Sequence, residues 1–250
     1  MLLGDLGADV IRIDRPGTRA ARARDYALAR NRRSIEIDLK TDRGIETLMS
    51  LVEQADVIFE GFRPGVAERL GFGPDACFAR RPSIVYGRMT GWGQTGPMSN
   101  MAGHDLNYLS LTGALTLFQR DGSQPATPPG FVADLGGGGL MLALGLVSAV
   151  VSSRATGTGQ VVDAAMVDGV ASLTTLVHSM SAQGRWDLDR PGQNFCDGGA
   201  PYYDSYVTSD DKYIAVAPIE PQFYAVMVEL LGLTLSGACP IETTRPTGTS

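Results

Sequence analysis

Two residues of this 250-residue sequence could carry out acid–base chemistry with an imidazole, because His104 and His178 are its only histidines. His104 lies between Gly103 and Asp105, shortly after the glycine-dense loop 91–97. A catalytic base and a structural hydrogen-bonding residue both fit that position, since rigid scaffolds place reactive groups on loops. His178 stands among apolar residues, which is typical of a histidine packed within a helix.

Asp134 is the candidate carboxylate, and four glycines follow it at 136–139. Aspartate is a preferred N-cap, so one interpretation is a cap for the helix predicted at 138–153. The other is a functional carboxylate whose charged form is favoured by helix N–H groups and the helix dipole. The glycines match no dinucleotide-binding or P-loop pattern, so close packing at a helix start explains them better.

Basic side chains follow three predicted strands in succession. Arg15 comes directly after a strand at 9–14, Lys40 ends a strand at 34–39, and Arg63 follows one at 56–60. Open α/β sheets bind ligands at strand ends, and arginine recognises phosphate through its planar fork. The pattern therefore predicts a phosphate-bearing ligand, although a solvated face also explains most of the eight arginines between positions 12 and 33.

Strands and helices alternate along the chain that must position these residues. Further strands are predicted at 82–87 and 160–163, and further helices at 41–54, at 66–70 and from 163 to about 183. Short Gly/Pro connections between them are typical of a doubly wound, Rossmann-like parallel sheet. A hairpin is predicted at 203–208 and 212–216, followed by a helix at 222–231.

Composition narrows the class of protein. A formal net charge of −6 argues against a general nucleic-acid binder. Cys77, Cys196 and Cys239 are odd in number and far apart, so neither a disulfide framework nor a metal cluster is expected. No secretory segment opens the chain, and the longest apolar run, 140–151, is too short to span a bilayer. A reduced, cytoplasmic protein without membrane or nucleic-acid partners is expected.

The motifs together resemble the α-methylacyl-CoA racemases, within the class III CoA-transferase superfamily. Two of them are Arg-Met-Thr-Gly-Trp-Gly-Gln-Thr-Gly-Pro at 88–97 and Ala-Gly-His-Asp-Leu-Asn-Tyr at 102–108. The other matching segments lie, in chain order, at 3–16, 31–33, 38–40, 60–66, 133–138, 157–166, 197–203 and 219–224. The likeness is almost continuous from residue 3 to about 233.

The resemblance implies an α/β fold with a CoA-binding domain at 1–164 and a linker helix and loop at 165–203. It also implies that residues 204–250 form the start of a smaller α+β domain, and that two chains interlock in a homodimer. The family begins one strand earlier and continues beyond residue 235, so a sequence truncated at both ends is expected.

The resemblance implies His104 and Asp134 as the catalytic pair, with Glu220 as a supporting group near the histidine. No metal and no cofactor is expected, since CoA is part of the substrate. The implied contacts with CoA are Arg15, Ile37, Asp38, Leu39, Lys40, Gly61, Phe62, Arg63, Arg69, Gly103, Asp105, Leu106, Asn107 and Tyr108.

The activity implied is racemisation of 2-methyl-branched acyl-CoA thioesters through an enolate, whose oxygen the N–H groups at 136–138 would stabilise. One alternative is a CoA-transferase that uses Asp134 as nucleophile; such enzymes generally lack the histidine, so His104 favours the racemase. The other alternative is an inactive CoA-binding fragment.

Overall fold

The computed structural model of the chain describes residues 1–18, 26–120 and 122–234. Its strands are β1 (Val10–Asp14), β2 (Arg32–Glu36), β3 (Val57–Glu60), β4 (Val85–Thr90), β5 (Val161–Ala165), β6 (Asp204–Val207) and β7 (Tyr213–Val216). Its α-helices are α1 (Leu2–Asp5), α2 (Tyr26–Ala29), α3 (Asp42–Val52), α4 (Val66–Leu70), α5 (Pro74–Arg80), α6 (Asp105–Leu111), α7 (Met141–Thr156), α8 (Met166–Leu173), α9 (Thr175–Ala182) and α10 (Pro221–Leu230). A 3-10 helix spans Ala114–Phe118 and a π-helix spans Val132–Leu140. Part of the arginine cluster (Arg19, Arg22, Arg24), Cys239 and the tail from 236 lie outside the described residues.

The chain forms two compact units. The first contains Met1–Tyr108 and Gly130–Ser172, and the second contains Leu109–Pro129 and the chain from Leu173 onward. The domain boundaries expected at 164 and 203 stay a prediction.

Parallel strand pairing organises the first unit. β1 pairs with β2, and β3, β4 and β5 pair in that order, all of them parallel. Successive residues of β4 face opposite sides, as the pleat requires. Tyr86 packs with a cluster from α3, α4 and α5, whereas Val85 packs with Leu142 and Leu146 of α7. Helices thus cover both faces of β4, and the predicted α/β fold with parallel sheets is confirmed.

The second unit contains the predicted hairpin and the predicted helix after it. β6 and β7 pair antiparallel, with Asp204 opposite Val216. Tyr202 packs edge-on against Tyr224 of α10, with ring centroids 5.7 Å apart. Arg120 donates through Nη1 to the Asp204 carboxylate at 2.7 Å, which ties the start of β6 to the segment after the 3-10 helix.

Two element ends differ from the sequence prediction near the candidate site. β2 ends at Glu36, because the chain leaves the strand after the Ile37 N–H donates to the Asp14 carbonyl at 2.9 Å. Asp38 then accepts from the Lys40 N–H at 3.0 Å, so Lys40 stands in a turn beyond the strand and does not end it. The helix predicted at 138–153 begins six residues earlier than expected, as the π-helix at Val132.

The π-helix and α7 form one apolar helix over Val132–Thr156, which is 25 residues long with mean hydropathy 1.9. By length and composition alone this helix could cross a membrane, whereas the apolar run 140–151 within it is too short to do so. One face of the helix packs against the sheet, where Leu142 and Leu146 are buried. The opposite face, with Leu144 and Val151, is exposed.

Candidate active site

His104 is held at the start of α6 by its backbone. The Asn107 side-chain oxygen accepts from the His104 N–H at 3.0 Å, and the Asn107 N–H donates to the His104 carbonyl at 2.8 Å. This reciprocal pair resembles a capping box and fixes where the imidazole leaves the chain. The imidazole is exposed and forms no hydrogen bond with any described residue, so it is available to a ligand.

Asp134 is the third residue of the π-helix and is half-buried. It is not the N-cap, because the helix begins at Val132 and Phe131 occupies the cap position without a side-chain hydrogen bond. The cap interpretation of Asp134 is therefore wrong. Its carboxylate has no hydrogen-bonding or ion-pair partner among the described residues, and its functional role stays a prediction.

Asp105 connects the two candidate elements. Its side chain is buried, and its Oδ2 accepts from the Ala133 N–H at 2.7 Å and the Asp134 N–H at 2.9 Å. Asp105 thus caps the π-helix, although it lies at the start of α6, and the neighbouring Leu106 is 39% exposed. His104 and Asp134 are thus adjacent to the two ends of one hydrogen-bonded bridge.

The surroundings of Asp134 favour its protonated form. Burial raises the pKa of the Asp134 carboxyl above its ordinary value, the charge of Asp105 raises it further, and His104 lowers it. Burial also raises the pKa of Tyr108, and the charge of Asp134 adds to that rise. His104 and Asp105 therefore lie close enough to Asp134 to act on it electrostatically, and Asp134 lies close enough to Tyr108 to act on that phenol.

Glycines allow the π-helix to approach its neighbours closely. A Cβ on Gly169 of α8 would lie 1.9 Å from the Gly137 carbonyl oxygen, and one on Gly138 would lie 2.9 Å from the Met166 side chain. The close-packing role predicted for the glycines at 136–139 is confirmed for Gly137 and Gly138, whereas an added Cβ on Gly139 would meet only an ordinary contact at 3.7 Å. The enolate-binding role predicted for the N–H groups at 136–138 is wrong, because the Gly136 N–H donates to the Phe131 carbonyl at 2.9 Å and the next two lie inside the π-helix.

An aromatic pair supports the turn that carries His104. Trp92 and Tyr108 meet edge to face, with ring centroids 4.6 Å apart. Gly103 and Gly91 leave room for them, since a Cβ on Gly103 would lie 2.8 Å from Trp92 and one on Gly91 would lie 2.3 Å from Tyr108. The glycine-dense loop after β4 is therefore shaped around these rings.

The residues implied for CoA binding fall into three groups in the first unit. The first group follows β1 and β2 and contains Arg15, Ile37, Asp38, Leu39 and Lys40. Its two segments are joined by the bond from the Ile37 N–H to the Asp14 carbonyl. Arg15 and Lys40 are exposed there, whereas Ile37 is buried and is not free to contact a ligand with its side chain.

The second group follows β3 and contains Gly61, Phe62, Arg63 and Arg69, all of them exposed. The third surrounds His104 and contains Gly103, Asp105, Leu106, Asn107 and Tyr108. The side chains of Asp105 and Tyr108 are buried, so any contact of theirs with a ligand would have to come from the backbone or from a small exposed part.

A buried ion pair shapes the turn of the second group, and sequence reasoning missed it. Arg88 of β4 donates through Nε to Glu60 at 3.1 Å and pairs through Nη1 with Glu68 at 2.8 Å. The other oxygen of Glu60 accepts from the Phe62 N–H at 2.6 Å, and burial raises the pKa of Glu60. Charged residues at the ends of two apolar strands are the signal that could have revealed this pair.

Glu220 lies in the second unit, as the exposed residue directly before α10. Its supporting role beside His104 stays a prediction. Cys77 and Cys196 are free, and burial raises the pKa of the Cys77 thiol to about 11. Among residues 1–18, 26–120 and 122–234, no cluster of three His, Cys, Asp or Glu side chains could hold a metal ion.

Comparison with known proteins finds relatives across the chain. Residues 1–245 match the family described as CoA-transferase family III. Alpha-methylacyl-CoA racemase of Homo sapiens is 45% identical over 233 residues, which cover 93% of this chain and 60% of the human protein. Succinyl-CoA:glutarate CoA-transferase of Mus musculus is 30% identical over 246 residues, which cover 93% of this chain and 55% of the mouse protein.

Solved structures support the same assignment of the fold. The crystal structure of a CAIB/BAIF family protein from Brucella suis matches with a TM-score of 0.77 and 28% sequence identity. The match covers 92% of this chain and 64% of that protein. The chain therefore spans less than two thirds of the length of each of these relatives.

Proposed function

The chain belongs to CoA-transferase family III, and from that premise we propose that it racemises 2-methyl-branched acyl-CoA thioesters. The observation that carries the proposal is the bridge that brings His104 beside Asp134, with both side chains free of other described partners. The 45% identity to a protein named alpha-methylacyl-CoA racemase supports this choice within the family.

The reaction needs two groups that exchange a proton with one carbon. In one direction His104 removes the proton from the carbon beside the thioester carbonyl, and the electron pair of that C–H bond becomes the enolate. Protonated Asp134 then gives its proton to the same carbon from the opposite face, which inverts the centre. Exchange with solvent returns both groups to their starting states, and the reverse direction swaps their roles.

The raised pKa of Asp134 suits this work. The proton on the carbon is weakly acidic, so a carboxylate with an ordinary pKa is a poor base for it and a poor reservoir of protons near neutral pH. Burial and the charge of Asp105 both move the pKa toward the operating range. The environment of Asp134 is thus that of a residue tuned for proton transfer.

CoA binding is proposed for the exposed basic residues at the strand ends. Arg15 and Lys40 follow the paired strands β1 and β2, and Arg63 follows β3 of the separate three-stranded sheet; open α/β sheets bind ligands at such strand ends. Their charges would hold the phosphates, and that remote binding energy fixes the reacting carbon between the two catalytic groups. Glu220 is proposed as a supporting group for the histidine. The working form would be a homodimer in the cytoplasm that needs no metal and no cofactor, since CoA is part of the substrate.

A second candidate function is CoA transfer with Asp134 as the nucleophile. The free carboxylate and the 30% identity to a succinyl-CoA:glutarate CoA-transferase favour it. In that reaction the Asp134 carboxylate attacks the thioester carbonyl, the C–S bond breaks and CoA leaves as a thiolate. His104 has no part in that step, so its position beside the aspartate favours the racemase.

Two measurements on the purified chain separate the candidates. Incubation with one antipode of 2-methylacyl-CoA should yield both antipodes by chiral chromatography. Hydroxylamine added with the acyl-CoA should leave Asp134 unmodified by mass spectrometry. A modified Asp134 with no change of antipode would refute the racemase and support the transferase.

A further inference from the structure

Asp105 departs from the surface role that the resemblance gives to its segment. Asp105 is 4% exposed, and one of its carboxylate oxygens accepts hydrogen bonds from the backbone N–H groups of Ala133 and Asp134, which lie 28 and 29 positions later in the chain. Hydrogen bonds to a charged acceptor are stronger than neutral ones. The side chain is therefore part of the protein interior and is not shaped for a ligand.

The π-helix depends on this side chain. The first N–H groups of a helix have no partner within it, and Phe131 at the cap position cannot supply one. Ala133 is fully buried, so in the folded chain its N–H group needs an acceptor from the protein. Asp105 accepts from both Ala133 and Asp134, and it thereby fixes the first turn of the helix that carries the candidate catalytic carboxylate.

The second oxygen of Asp105 has an unusual environment. Oδ1 is buried and has no hydrogen-bonding partner among the described residues. Buried polar atoms are nearly always satisfied, so retaining this one requires an explanation. A neutral side chain could accept the two N–H groups through one oxygen, but only a carboxylate also places a negative charge beside Asp134.

We infer that Asp105 is a positioning residue with two effects on Asp134: its hydrogen bonds fix the carboxylate beside His104, and its charge makes that carboxylate a stronger base. The inference rests on the proposed function. Among the described residues, two groups act on Asp134 by their charge, namely Asp105 and His104, and Asp134 in turn acts on Tyr108. Of these, Asp105 alone does so while bonded to the Asp134 backbone.

The two effects separate in two variants. Asp105→Ala removes the bonds and the charge, so kcat for α-proton exchange should fall about 10²-fold with KM unchanged, as misplaced catalytic groups do. Asp105→Asn keeps an acceptor and removes only the charge. Its kcat should fall less, and the pH limb that reports Asp134 should move to lower pH. Asp187→Asn alters an exposed turn carboxylate, which accepts from the Asp189 N–H at 3.0 Å, and serves as the control without effect.

A second readout needs no substrate. Amide hydrogen exchange at Ala133 and Asp134 should be slow in the unaltered chain and in Asp105→Asn, and clearly faster in Asp105→Ala. An Asp105→Ala protein with unaltered kcat and unaltered amide protection would overturn the inference. If that variant does not fold, Asp105→Asn decides: an unmoved pH limb overturns the inference and a lowered one supports it. If the unaltered chain shows no α-proton exchange, the proposed function fails, and amide protection still tests the bridge.

Discussion

Gly169→Ala is expected to damage both the stability and the activity of the protein. The added Cβ would lie 1.9 Å from the Gly137 carbonyl oxygen, where 3.4 Å is an ordinary contact, so the helices would have to separate by about 1.5 Å. Both sides of this contact are backbone, and no side chain can rotate away. The π-helix would therefore move, and Asp134 would move with it.

The magnitude follows from two opposing contributions. Overpacking costs about 1–3 kcal/mol, and a backbone clash belongs at the upper end of that range. Alanine gains about 1 kcal/mol over glycine in a helix, so the net loss of unfolding free energy should be about 2 kcal/mol. A shift of this size at Asp134 should also lower α-proton exchange about 10²-fold.

The assay is urea unfolding followed by circular dichroism, together with deuterium incorporation into 2-methylacyl-CoA. Gly139→Ala is the matched control, because its Cβ would lie 3.7 Å from the Asp134 carbonyl oxygen, an ordinary contact. That variant should keep both stability and exchange. If Gly169→Ala matched it in both measurements, the argument that helix proximity positions Asp134 would be refuted.

Three further features of the scaffold can be tested by urea unfolding. Thr41→Ala removes the N-cap hydroxyl that accepts from the Gly44 N–H at 3.1 Å and should lower the free energy of unfolding by about 1 kcal/mol. Thr41→Ser keeps the hydroxyl, so an equal loss in that variant would contradict the capping role. Leu146→Ala, at 1% exposure, should cost about 2–5 kcal/mol. Leu144→Ala, at 65% exposure, should stay within about 0.5 kcal/mol, and equal losses would count against the assigned buried face. Arg88→Met leaves Glu60 buried without its partner and should cost about 3–5 kcal/mol at neutral pH. Burial already raises the pKa of Glu60, so this loss should shrink as the pH falls toward the ordinary pKa of a glutamate and the carboxyl becomes neutral. A loss that does not depend on pH would contradict the ion pair between Arg88 and Glu60.

Local patterns were sufficient to predict most of the elements. Alternating apolar residues located β1 and β3 within a residue of their observed starts, and Thr41 marked the start of α3. β2 was predicted two to three residues too far along the chain, at 34–39 instead of Arg32–Glu36, because Ile37 continues the apolar alternation while its N–H donates to the Asp14 carbonyl. The helix predicted from 163 to 183 is divided at Thr174 into α8 and α9, and nothing in its apolar pattern marks that break.

The residues of the candidate site were predictable from the sequence, but the hydrogen bonds that join them were not. His104 and Asp134 could be singled out by residue type and motif, since reactive groups cluster on such loops. The bond from Asp105 to the π-helix joins residues 28 positions apart, and a single sequence contains no signal for such a pair. A preference for aspartate at helix starts pointed to Asp134 as the cap, whereas the folded chain supplies the cap from another segment.

Deuterium exchange tests most directly the claim that His104 and Asp134 act as opposed acid and base. Each pure antipode of 2-methylacyl-CoA would be incubated in D₂O with the unaltered chain, with His104→Ala and with Asp134→Asn. The unaltered chain should label both antipodes, and each variant should lose labelling of at least one. Labelling of both antipodes at the normal rate by either variant would contradict the assignment.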